Sequence, residues 1–156
     1  MVGARELCLI WAEDKYRYWS WISLPESKLE KVASLNRVCW LEIRGEIDMS
    51  ILSPWTLYKE YLVYNLTENA NGFEVPVEVA VVARHYGFEY GPLDAALGAD
   101  KSKRTAYLDP KMEIDGARLP KNRADGWLEM ELGEFQCRAE EDGELEMICA
   151  EFKDLW

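Results

Sequence analysis

Apolar and polar residues alternate with a period of two along much of this chain. Valines occupy positions 75, 77, 79 and 81, with Glu74 and Glu78 on the alternate side. Leu128, Met130 and Leu132 alternate with Glu129 and Glu131, and Leu145, Met147 and Cys149 with Glu144, Glu146 and Ile148. That period belongs to a pleated strand whose two faces meet different surroundings, so each segment predicts a strand buried on one side and wetted on the other. Residues 57–66, rich in Tyr, Leu and Val, predict another. Short apolar runs at 7–11 and 38–43 predict two buried strands, the second ending in a turn at Arg44-Gly45-Glu46. Asn69-Ala70-Asn71-Gly72 is a turn, and residues 86–123 form a long irregular excursion around a strand-like segment at 104–108. One stretch reads as helix: Ser23 and Glu26 have capping-box spacing, and Leu29, Val32, Ala33 and Leu35 fall mostly on one face. The expectation is an all-β protein, a jelly-roll-like β-sandwich of antiparallel strands with one short helix.

The length of 156 residues suits a single domain, 1–156, and 49% hydrophobic with 30% charged residues is a globular balance that argues against disorder. No apolar run is long enough for a membrane span and the N-terminus lacks a leader pattern, so a soluble, unprocessed protein is expected, with no membrane partner. The formal charge of −11 would repel a phosphate backbone, which excludes nucleic acid as a natural partner. Charge is uneven: residues 101–123 hold seven basic and three acidic side chains, residues 124–156 two basic and 11 acidic. Cys8, Cys39, Cys137 and Cys149 show no metal-ligand spacing, and each adjoins an apolar stretch. They are expected to be buried, reduced thiols, with no metal or other cofactor. His85, the one histidine, is expected to be a solvated or core residue.

Chemistry concentrates in one place. Trp11, Tyr16, Tyr18, Trp19 and Trp21 interleave with Glu13, Asp14, Lys15 and Arg17. Aromatic faces stack on the apolar C–H patch of a pyranose, and carboxylates hydrogen-bond its hydroxyls, so this mixture suits a sugar site. The competing reading is that Trp11, Trp19 and Trp21 pack in the core, as tryptophans mostly do. Local motifs such as GxSxG, HExxH or a P-loop do not occur, and a single histidine leaves few acid–base schemes; no catalysis is expected.

Ala4-Arg5-Glu6-Leu7, Tyr18-Trp19-Ser20-Trp21, Val38-Cys39-Trp40-Leu41-Glu42-Ile43-Arg44-Gly45 and Asp125-Gly126-Trp127-Leu128-Glu129, followed by Leu132-Gly133-Glu134-Phe135, resemble the plant phloem protein 2 family, the Nictaba-type lectins. The resemblance extends over almost the whole chain. It implies a jelly-roll sandwich, residence in the cytoplasm and nucleus, and binding of N-acetylglucosamine oligomers or N-glycan cores. It ties Trp11 and Trp19 to sugar binding; from the make-up of the cluster itself, Tyr18, Glu13 and Asp14 are expected to supply polar contacts, with Trp21 a further candidate. It also implies a further strand after the acidic one, whereas this sequence ends at Asp154-Leu155-Trp156; an uncovered edge, open to a homodimer or a protein partner, is therefore expected. The wording around residues 38–45 is nearer the branch that often carries an F-box, so a protein-interaction or substrate-recruitment module is the alternative expectation.

Overall fold

The alternating segments pair into sheets. A computed structural model describes residues 1–13, 17–86 and 103–151 of the protein. Its strands, in chain order, are β1 (Cys8–Leu9), β2 (Trp19–Ile22), β3 (Val32–Leu35), β4 (Glu42–Asp48), β5 (Thr56–Tyr64), β6 (Val77–Arg84), β7 (Arg104–Ala106), β8 (Lys121–Asn122), β9 (Leu128–Cys137) and β10 (Glu144–Ala150). Five form one sheet in the order β1-β4-β10-β6-β7, three form a second in the order β5-β9-β8, and β2 pairs with β3. Every pairing of these strands is antiparallel. The chain crosses from the larger sheet to the smaller after β4, returns before β6, crosses again between β7 and β8 and comes back between β9 and β10. The fold is all-β, as the alternation predicts.

The inner faces meet in one buried cluster. Val77, Val79 and Val81 of β6, Leu145, Met147 and Cys149 of β10, and Met130 and Leu132 of β9 form its centre, joined by Leu9, Trp19, Leu41 and Met49. Burying each such aliphatic side chain contributes on the order of 2 kcal/mol. Burial also pushes the Cys149 thiol up to about 12. In β9 a bulge changes which positions face inward: Glu60 of β5 sits opposite Gly133, Tyr61 sits opposite Glu131, and Leu132 is the extra residue. The buried set therefore runs Leu128, Met130, Leu132 and then Gly133 and Cys137. Glycine is needed there, because a Cβ on Gly133 would lie 3.0 Å from Cγ2 of Val81 across the sandwich.

Several expectations are corrected. The helix expected within residues 23–35 is absent: Val32–Leu35 is a strand, with Val32 opposite Ile22 and Leu35 opposite Trp19. Ser23 Oγ donates to the Glu30 carbonyl at 3.1 Å, and the Leu29 N–H donates to Ser27 Oγ at 3.1 Å. Such local bonds compete with a helix, and strand pairing outweighs the weak helical pattern. Arg44-Gly45-Glu46 is the middle of β4 rather than a turn, and the run at 38–43 enters a strand only at Glu42. The run at 7–11 contributes just Cys8–Leu9, while Ala4–Glu6 and Met49–Ile51 are single 3-10 turns.

The outer face of β10 is not wetted. Ile148 and Ala150 lie buried beside Ala80, and Glu146 is 2% exposed. Its carboxylate survives there because Arg84 Nε donates to it at 2.5 Å and Arg44 Nη1 lies 3.6 Å away. Cys137 and Cys149 are buried as expected, but Cys8 and Cys39 are exposed. His85 is exposed, with Nδ1 3.3 Å from the Asp142 carbonyl. Of the long excursion, residues 87–102 lie outside the described residues; beyond them β7 pairs with β6, and Tyr64 Oη donates to the Leu108 carbonyl at 2.6 Å. Among the described residues no helix is long and apolar enough to cross a membrane.

Candidate functional site

β1 ends in a turn closed by the Ala12 N–H, which donates to the Leu9 carbonyl at 3.2 Å. Trp11 is its third residue and has φ +64, a left-handed conformation that turns usually give to glycine or asparagine. For a bulky residue that geometry costs about 1–3 kcal/mol and persists only where the surroundings hold it. Two rings do so. The Trp40 ring packs edge-on at 4.9 Å between centroids, and the Tyr18 ring is tilted against it at 5.6 Å. The indole still keeps 38% of its surface exposed. The guanidinium of Arg17 lies 5.3 Å from the centre of the Tyr18 ring, a cation–π distance. Trp11, Trp40 and Tyr18 thus make an aromatic ledge capped by Arg17, with exposed Glu13 two residues along the chain from Trp11.

Trp19 occupies a different place from the one expected. Its ring is 8% exposed and belongs to the core, and its Nε1–H donates to the Ile10 carbonyl at 2.8 Å. That carbonyl is the second residue of the turn carrying Trp11, so Trp19 fixes the turn from beneath and offers no face to a ligand. The carbonyl of Tyr18 accepts from the Asn36 N–H at 2.7 Å, which ties the ledge to the end of β3. Trp21, two residues along β2, is 43% exposed. Asp14 and Tyr16 lie outside the described residues. The sequence does not single out Trp40 as a site residue, because Val38, Leu41 and Ile43 around it read as a buried strand.

The ledge is an open surface. Two depressions lie elsewhere: one of about 490 Å³ is lined by Lys28, Asn122, Arg123, Asp125 and Glu129, and one of about 200 Å³ by Arg5, Glu6 and Leu29 with their neighbours. At the first, Asp125 accepts from Arg123 and from the Trp127 N–H, and the Arg123 hydrogen bond holds its carboxyl below the usual range. That arrangement closes the hairpin between β8 and β9. The ledge itself presents aromatic faces beside one guanidinium, a combination suited to stacking on a flat, hydroxyl-bearing ligand.

The phloem protein 2 family model matches residues 1–156. F-box protein PP2-B10 of Arabidopsis thaliana is 37% identical over 160 residues, which takes in 99% of this chain and 54% of that protein. F-box protein At2g02240 of the same plant is 37% identical over 142 residues, 86% of this chain and 40% of that protein. F-box protein VBF is 30% identical over 167 residues, 98% of this chain and 59% of that protein. The chain spans about half the length of these curated relatives. It belongs to the phloem protein 2 family.

Proposed function

We propose that the chain is a carbohydrate-recognition module that binds N-acetylglucosamine oligomers or N-glycan cores, with no chemical step. The observation that carries this reading is the Trp11 indole, held in a strained turn by Trp40 and Tyr18 and left 38% exposed. Trp11 stacks on the sugar, Tyr18 and Trp21 flank it, Glu13 accepts from hydroxyls, and Asp14, next to it in the sequence, adds a second carboxylate. Trp19 acts as a positioning residue through the Ile10 carbonyl. Calorimetry with chitotriose tests this. The chain is expected to give saturable heat, and Trp11→Ala to lower affinity at least about tenfold with an unchanged circular dichroism spectrum, because an exposed anchor contributes to binding more than to folding. A folded chain that gives no heat overturns the reading.

A second reading has its own support, since the relatives named above are F-box proteins. Here the chain is the substrate-recruiting part of a ubiquitin-ligase adaptor, in the cytoplasm or nucleus, and the ledge has weak or no sugar affinity. A glycan array without hits, with a specific protein partner competed by Trp11→Ala, favours it.

A further inference from the structure

The ledge has a polar end. Trp19 pairs with Leu35, and the ladder between β2 and β3 runs one step further: the Asn36 N–H donates to the Tyr18 carbonyl at 2.7 Å, which sets Asn36 directly across from Tyr18. Residues opposite one another in an antiparallel pair hold their Cβ atoms about 5 Å apart. Asn36 is exposed, Ser20 is half-buried, and Asn36 Nδ2 donates to Ser20 Oγ at 2.9 Å. This diagonal bond fixes the carboxamide through its nitrogen, on a backbone already tied to Tyr18. The pair offers both hydrogen-bonding roles to a ligand. Ser20 Oγ accepts from Asn36 and still carries its own O–H to donate, and the Asn36 carbonyl oxygen has two lone pairs with which to accept. A donor and an acceptor side by side match a secondary amide, whose carbonyl takes the first and whose N–H supplies the second. Aromatic faces make no such distinction, since stacking needs only the C–H patch that glucose and N-acetylglucosamine share.

We infer that Ser20 and Asn36 set the specificity of the ledge by holding the 2-acetamido group of a sugar stacked on Trp11, an assignment that rests on the ledge being a sugar site. Trp11 supplies affinity for any pyranose with an open C–H face, and the polar pair selects the N-acetylated one. Ser20 Oγ–H donates to the acetamido carbonyl, and Asn36 Oδ1 accepts from the acetamido N–H. Asn36 acts twice, because its Nδ2 bond also orients the Ser20 hydroxyl. The two side chains therefore work as a unit, and removing either disturbs what the other offers. Affinity and selectivity thus come from different parts of one surface: the turn after β1 stacks, and the hairpin of β2 and β3 reads the substituent.

Titrating the intact chain with chitotriose and with cellotriose, which carries hydroxyls in place of the acetamido groups, tests this; amide chemical shifts read weak as well as tight binding. The chain is expected to prefer chitotriose about tenfold. Asn36→Ala and Ser20→Ala should each remove most of that preference by weakening chitotriose alone, with an unchanged circular dichroism spectrum, and the double variant should fall little further than either. Trp11→Ala should weaken both sugars by the same factor and leave the preference intact. If the folded chain does not bind chitotriose, the sugar reading of the ledge fails and this assignment with it. If chitotriose binds but the unaltered chain takes both sugars equally, or the folded Asn36→Ala and Ser20→Ala variants keep the full preference, the pair only braces the hairpin: the inference is overturned and the ledge stands.

Discussion

Glu146 and Glu60 are both strand glutamates turned away from open water, yet the two sheets treat them oppositely. In the five-stranded sheet, Glu146 sits between β4 and β6 and meets arginines from both. In the three-stranded sheet, Glu60 faces inward on a strand paired among the described residues with β9 alone, and the chain's first amino group is the charge that opposes its burial. Burial alone therefore does not decide what a carboxylate does for stability. Glu146 receives countercharges from the strands on both its sides, whereas Glu60 meets one from a distant part of the chain.

The largest test of that contrast lies where β10 begins. Gly143 has φ +128, and a Cβ there would collide with the Arg84 carbonyl oxygen, while the Gly143 carbonyl accepts from the Met49 N–H at 2.9 Å. Gly143→Ala is expected to cost about 4 kcal/mol or more, measured by urea denaturation, because neither the backbone nor its neighbour can yield. A near-native midpoint would show that the five-stranded sheet is less tightly determined than its geometry implies. Glu146→Ala comes next, at about 2 kcal/mol, since Arg84 loses the carboxylate it donates to while Arg44 keeps its pair with Glu42; the two arginines are 22% and 29% exposed and recover some hydration.

The smallest effect is expected at Glu60, and its sign is opposite. A carboxyl whose pKa is raised by folding favours the folded state below its unfolded pKa, and that contribution is lost as pH rises through the folded value. Glu60→Gln should therefore stabilise the fold at neutral pH by less than about 1 kcal/mol given its partial exposure, read as a raised thermal midpoint, and the gain should vanish below the ordinary glutamate range. A Glu60→Gln chain less stable at neutral pH would mean that the attraction of the amino group outweighs the burial.

Much of this architecture is legible in the pattern of residues. The valines of β6 and the Leu-Glu-Met-Glu-Leu run of β9 declare their faces because each strand has one apolar side. β10 misleads for a physical reason: Glu146 looks solvated until β4 and β6 bring Arg44 and Arg84 to it, and those partners are 102 and 62 positions away in the chain. Residues 23–35 mislead likewise, since the pairing of Val32 with Ile22 is a tertiary event. The aromatic cluster was visible as composition. Its division of labour was not, because Trp11 and Trp19 differ only in which side of a turn they occupy, and Trp40 joins them from another element.

The central position of β10 has a bearing on how the polypeptide reaches its native form. β4 and β6 have no contact through the sheet until residues 144–150 slot between them, so the ladder cannot close until that stretch leaves the ribosome. Until then both strands carry unsatisfied edges, and the long loops to be closed make the final step slow. Nascent chains of this kind should depend on chaperone protection until residues 144–150 emerge and then gain the order of this sheet together.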